Sequence, residues 1–195
     1  MVEVIRLVRS RLGCPGSTAR WCAGVLLFLA LCRAGHGHRL DEYLQATRLD
    51  LHLDRVGIEM DLTPGIDVAA RVIPWIDVNG DGTVSATEVE AYTDLVLHGM
   101  RFEVDGRPRP VKLLETQMAG MDALKSGAGA IRLQAEVFFD RLRAGEHRFF
   151  FQTQHLTNLS VYLVNALVPS SPHLKILKQD RDVRQTQIRL DIKVE

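Results

Sequence analysis

Residues 49–62 read LDLHLDRVGIEMDL. Leu49, Leu51 and Leu53 alternate with Asp50 and His52, and Val56, Ile58, Met60 and Leu62 alternate with Gly57, Glu59 and Asp61. A period of two places one face of a strand in a core and the other in water. The stretch is therefore two half-buried strands, with Asp54-Arg55 as the turn although the usual turn glycine is missing.

Toward the C-terminus the same period returns repeatedly. Phe102 and Val104 alternate, and Asp105-Gly106 marks a hairpin turn before RPRPVKLLE, where Pro108 and Pro110 suit an edge strand or a loop. Residues 117–129, QMAGMDALKSGAG, hold three glycines and read as a loop. Ile131, Leu133, Ala135 and Val137 alternate, and Phe149, Phe150 and Phe151 are expected in a strand buried on both faces or at the core centre. SVYLVNALV (160–168) and LKILK (174–178) read as strands around a Pro-Ser-Ser-Pro turn, and Ile188, Leu190, Ile192 and Val194 alternate to the end. Seven to nine short strands, with no helix after Gly99, predict a mainly β (α+β) chain. The expected architecture is an antiparallel β-sandwich.

The period changes only in residues 66–99. Thr63-Pro64-Gly65 breaks the chain, and IDVAARVIPWI (66–76) turns helical, with Ile66, Ala69, Ala70, Ile73 and Ile76 on one side. Pro74 lacks an amide donor and crowds the preceding turn, so this helix is expected to be short or kinked. A second helix is predicted over 86–98, with Val89, Tyr92, Leu95 and Val96 on one face and Gly99 as its stop.

Between these helices lies DVNGDGTVSATE, residues 77–88. It matches the calcium template D-x-[DN]-x-[DN]-G-x₅-E at Asp77, Asn79, Asp81, Gly82 and Glu88. Calcium takes six to eight hard oxygen ligands, and alternate side chains of a coiled loop point inward to supply them. In that pattern Thr83 offers its carbonyl, Ser85 acts through a water, and Glu88 closes the site with both oxygens. Ser85 to Glu88 is also a capping box, so the exit helix can start where the loop ends. Val84 is apolar and is expected to anchor the loop to the domain, and Trp75 to pack beneath it. A bare polar turn needs none of these features together.

The loop and its flanks, residues 66–99, resemble the EF-hand family. The resemblance carries metal-ligand roles to Asp77, Asn79, Asp81, Thr83, Ser85 and Glu88, and implies Ca2+ as the cofactor. Two departures stand out: Pro74 in the entering helix, and the lack of a second loop. Asp105-Gly106 has no glutamate at the right distance, and residues 179–182 lack the glycine. A lone loop must lean on its own domain. Its expected dissociation constant is on the order of 10⁻⁴ to 10⁻³ M, the range of extracellular modules. Outside a cell it would act as a permanent brace, stabilising the fold by roughly 1–2 kcal/mol at a few to tens of times the dissociation constant.

The N-terminus reads as an export signal. The first 37 residues of the 195 hold five arginines and one acid, and WCAGVLLFLALC (21–32) is uncharged and too short for a spanning helix. Cleavage is expected after Gly37, with Ala34 nearly as good; an uncleaved anchor or a buried helix is the alternative. In Leu29-Ala30-Leu31-Cys32 a large leucine precedes the cysteine where a small residue is expected, which argues against a lipoprotein signal. The organisation is thus a signal peptide over 1–37 and a β-sandwich domain over 38–195 with an EF-hand insertion at 66–99. Cys14, Cys22 and Cys32 all fall in the leader, which excludes a disulfide framework or thiol nucleophile from the rest. That remainder carries 19 basic and 23 acidic residues, too mild an imbalance for nucleic acid. Localisation is expected to be extracytoplasmic, periplasmic or secreted.

No G-x-S-x-G, H-E-x-x-H, P-loop or dinucleotide fingerprint occurs, so the chain is expected not to be an enzyme. The expected role is a calcium-stabilised module whose sandwich meets another extracytoplasmic or membrane protein. The alternative is a periplasmic copper or nickel carrier or sensor using His38 with His36, His98, His147, His155 or His173, although no spacing motif supports it. Asp180, Arg181 and Asp182 beside Lys178 read as a solvated turn between two strands, or else as a docking rim.

Overall fold

The alternation of residues 49–62 folds as two antiparallel strands, β1 (Tyr43–Leu51) and β2 (Arg55–Pro64), in register from Tyr43 opposite Pro64 to Leu51 opposite Val56. The computed structural model describes residues 41–195, so the predicted leader, His36 and His38 lie outside the described residues. The turn is tied by the His52 amide donating to the Arg55 carbonyl at 2.9 Å. β1 begins well before its leucines, because Gln45 and Thr47 take inward positions beside Tyr43 and hide the pattern from hydropathy.

Eight more strands follow: β3 (Met100–Val104), β4 (Arg107–Arg109), β5 (Lys112–Met118), β6 (Ile131–Phe138), β7 (Gly145–Thr153), β8 (Ser160–Ala166), β9 (Leu174–Arg181) and β10 (Gln187–Val194). They form two five-stranded sheets, ordered β5-β6-β2-β1-β8 and β4-β3-β7-β10-β9. All pairings are antiparallel except β1 with β8, which run parallel from Tyr43 opposite Ser160 to Leu49 opposite Ala166. The predicted sandwich is therefore present, with ten strands rather than seven to nine among the described residues.

The core lies between the inward faces: Leu49, Ile58 and Met60 from one sheet, and Phe102, Phe149, Phe151, Ile188 and Leu190 from the other, all essentially buried. Phe149 packs at tilted angles against Phe102 and Phe139, with ring centroids 5.8 and 5.6 Å away. Burying one such side chain contributes about 1.5–3 kcal/mol.

The helical excursion lies between β2 and β3. It comprises α1 (Ile66–Val72), a 3₁₀ turn (Ile73–Trp75), the loop, and α2 (Ala86–His98). Pro74 sits at the start of the 3₁₀ turn, where a missing amide costs little, and α1 stops before it. The buried face of this segment is Val68, Ala69, Val72 and Ile76; Ile66 and Ala70 are exposed, contrary to the predicted stripe. Valines at 68 and 72 made a second apolar stripe that periodicity alone could not rank.

Other expectations are corrected. The glycine-containing segment 117–129 is not all loop: β5 runs into it and α3 (Met121–Lys125) follows, burying Met121 and Leu124. Within RPRPVKLLE, Pro108 sits in the edge strand β4 and Pro110 in the connection to β5, in line with the expectation of an edge strand or a loop. Phe150 is not in the core, because β7 buries only Phe149 and Phe151 of that run. Asp180 and Arg181 belong to β9, and only Asp182 forms the turn, accepting from the Gln187 amide and the Thr186 hydroxyl at 2.9 Å each.

Candidate metal centre

Five of the six residues singled out from sequence fall in the loop between the 3₁₀ turn and α2, and Glu88 stands in the first turn of α2. The loop's coil begins at Asp77, whose amide donates to the Ile73 carbonyl at 2.9 Å. Asp77 Oδ1 accepts from the Gly80 and Asp81 amides at 2.8 and 3.1 Å, and Oδ2 from the Gly82 amide at 3.0 Å. The chain can present three successive amides to one carboxylate because Gly80 and Gly82 take left-handed φ of 72° and 83°. A Cβ at Gly82 would meet nothing within 4 Å, so the constraint there is conformational rather than steric.

The next two side chains lie on the solvent side. Asn79 Oδ1 accepts from the Asp81 amide at 2.9 Å, while its Nδ2 donates to Asp81 Oδ2 at 2.9 Å. Asp81 Oδ1 accepts from the Thr83 amide and hydroxyl at 2.8 and 2.7 Å. The hydroxyl bond of Thr83, its amide and Asn79 together hold the Asp81 carboxyl below its usual range.

Glu88 closes the circuit from the first turn of α2. Its Oε1 accepts from the Val78 and Asn79 amides at 3.0 and 3.3 Å, and its Oε2 from the Ser85 amide and hydroxyl at 2.9 and 2.8 Å. The Glu88 amide donates to Ser85 Oγ, completing the expected capping box. The Ser85 amide and hydroxyl, then the Asn79 and Val78 amides, hold the Glu88 carboxyl below its usual range. Asp77 and Glu88 are the two mostly buried carboxylates, each 8% exposed. Val84 is half-buried against the core, as expected, but Trp75 is half exposed and does not pack beneath the loop. The 3₁₀ turn explains this, because it buries none of its three residues.

The donor chemistry fits a hard cation: carboxylate and amide oxygens at positions 77, 79, 81 and 88, each already accepting from an amide of the same coil. An ionised carboxylate has about four acceptor sites. Asp77 and Asp81 each use three of these on protein donors, whereas Glu88 uses all four. Glu88 therefore has to exchange a protein donor to serve as a ligand. Among the described residues no three His, Cys, Asp or Glu side chains gather as a metal-holding group.

The predicted histidines are dispersed in their contacts. His98 Nδ1 lies 2.7 Å from the Asp94 carbonyl, His147 bonds Asp105, and His155 is buried against Tyr92.

One buried network escaped the sequence reading. Tyr92, one turn beyond Glu88 on α2, places its hydroxyl 2.5 Å from the Tyr43 hydroxyl and 3.0 Å from His155 Nε2. Around them the His155 carbonyl accepts from Gln45 Nε2, Ser160 Oγ and Tyr162 OH at 2.7, 2.9 and 2.8 Å. Burial pushes the His155 imidazole down to about 4, and burial with the neighbouring Tyr92 pushes Tyr43 well up. The loop's closing residue thus stands on a helix pinned to β1, β8 and the 155–160 segment. Tyr92 was placed on the inner face by periodicity, but nothing local marked Tyr43 or His155 as its partners. No family model matches the chain, and no curated protein sequence is detectably similar to it.

Proposed function

We propose that the chain is a non-enzymatic, calcium-binding extracytoplasmic module in which the ion braces residues 66–99 against a β-sandwich. The observation that carries the reading is the closure of the loop by its first and twelfth residues. Asp77 gathers the amides of Gly80, Asp81 and Gly82, and Glu88 reaches back to those of Val78 and Asn79. Asp77, Asn79, Asp81 and Glu88 would hold the ion with side-chain oxygens, with Thr83 adding its carbonyl and Ser85 a water-mediated contact. The bound ion supplies a hard divalent charge that offsets three carboxylates held in one short coil.

The chain's own part is to keep those carboxylates ionised and preoriented. Hydrogen bonds from Thr83 and Ser85 lower Asp81 and Glu88, so both stay charged at neutral pH. The network around Tyr92 fixes the helix that carries Glu88. The module is read as a platform for another extracytoplasmic or membrane protein.

Calorimetric titration of the full chain with Ca2+, paired with thermal melts, tests this. Heat of binding with a dissociation constant near 10⁻⁴ to 10⁻³ M and a rise in Tm are expected. Both should vanish in Glu88→Gln and persist in His38→Ala. No heat and no shift at millimolar Ca2+ would overturn the reading, and tight copper or nickel binding that needs His38 would replace it.

A further inference from the structure

The outer face of the second sheet carries a cleft of about 570 Å³ lined by Arg101, Glu103, Arg148, Phe150 and Arg189. Strand register builds it. Arg189 on β10 lies opposite Phe150 on β7, which lies opposite Glu103 on β3, and Asp191 lies opposite Arg148 in the next row. Phe150 is the aromatic that β7 turns away from the core, and two guanidinium groups cover it. Arg101 and Arg189 stand 5.9 and 5.8 Å from its ring centroid.

The carboxylates that line the cleft, Glu103 and Asp105, and the neighbouring Asp191 are already matched. Glu103 pairs with Arg101, Asp191 with Arg148 at 2.9 Å, and Asp105 with His147 at 2.8 Å. Asp180, directly across from Arg189, gives its carboxylate to Lys178 at 2.5 Å. Arg189 is left without an ion pair among the described residues, exposed and held over the ring. A guanidinium offers five N–H donors in a planar fork that fits a carboxylate or phosphate with two parallel bonds. Arg101, at a similar distance from the ring, supplies further donors.

We infer that this cleft is a binding site for an oxyanion-bearing small molecule, a phosphate ester or a carboxylate. Arg189 is its principal ligand, Arg101 its second, and Phe150 its apolar floor. Pairing is local and solvent-exposed, so the affinity is modest and falls with salt. The site lies on a different sheet face from the metal loop, and its test does not depend on calcium.

The test is an amide and arginine side-chain NMR titration of the isotope-labelled full chain in calcium-free buffer at constant ionic strength. Inorganic phosphate is used in one arm and succinate in the other. Saturable shifts at Phe150 and Arg189 are expected in at least one arm. Arg189→Gln should weaken that binding at least tenfold, and Arg189→Lys several-fold because it keeps the charge but loses the fork. Arg132→Gln, on the other sheet, should leave it unchanged. Saturation with phosphate alone assigns a phosphate ester, with succinate alone a carboxylate, and with both a general oxyanion site. Shifts that rise linearly with either salt, or that are equal in wild type and Arg189→Gln, would overturn the proposal.

Discussion

Ser85 and Glu88 show how closely helix capping and loop closure are joined at single residues. Ser85 Oγ accepts the Glu88 amide and donates to the same residue's carboxylate, so its loss removes a helix cap and frees a Glu88 acceptor site together. Ser85→Ala is expected to lower stability in urea melts by about 1 kcal/mol without calcium, with a smaller deficit when calcium is present. His155 has the opposite logic to most surface histidines. Burial lowers its folded value to about 4, against an ordinary value near 6.5 in the unfolded chain. As pH falls through that window only the unfolded state takes up the proton, so stability is lost at up to about 1.4 kcal/mol per pH unit. His147 does not oppose this below pH 6.5. Partial burial pulls it down, but the Asp105 bond and the Arg143 carbonyl outweigh that and raise it, so its stabilisation is already complete there. Urea melts between pH 6.5 and 4.5 should show the slope in wild type and a flatter line in His155→Gln.

At the level of the element, α2 is the joint between loop and sandwich. It buries Glu88, Tyr92, Thr93 and Val96 on one side, and Gly99 ends it against β7's continuation. A Cβ at Gly99 would stand 2.8 Å from the Gln154 carbonyl oxygen, and the Gln154 amide donates back to the Gly99 carbonyl at 2.9 Å. Backbone cannot yield cheaply there, so Gly99→Ala is expected to cost about 1–3 kcal/mol in denaturant melts. Cap and stop placed the bounds of α2, but its predicted face was only partly right, since Tyr92 and Val96 are buried while Leu95 is exposed and Thr93 is buried. Strands with purely aliphatic inner faces, β2, β6 and β10, were readable. β1 was readable only in its second half, because its first half turns Gln45 and Thr47 inward, where Gln45 Nε2 meets the His155 carbonyl and Ser160 and the Thr47 hydroxyl is buried without a partner. α3 was hidden because glycines on both sides of MDALK read as loop, while Met121 and Leu124 fold into the core through long-range contacts. The loop's residues were legible because a coordination template fixes types and spacing locally. The cleft on the second sheet was not, since Arg101, Phe150 and Arg189 meet only through strand register.

Across the whole molecule the four edge strands are guarded by three kinds of device. β4 carries Pro108 and is followed by Pro110; β5 and β9 carry register shifts, at Leu113/Glu115 and opposite Asp191/Ile192. β8 is blocked by Arg181, which donates from Nε to the Val164 carbonyl at 2.6 Å and from Nη2 to Asn165 at 2.9 Å. Arg181→Ala removes the last guard without touching the core. It is expected to speed aggregation on warming, seen by light scattering, while the midpoint of a dilute urea melt moves little. The parallel seat of β1 against β8 reaches further than the edges it sits between. Three of the eight pairings, β1 with β2, β3 with β4 and β9 with β10, meet through short hairpins, but the chain must close the whole span from Leu51 to Ser160 before this pair can form. Such closure is entropically late and lowers the folding rate. Synthesis therefore releases the first strand long before its last neighbour exists, and the domain can become native only when its final third has emerged.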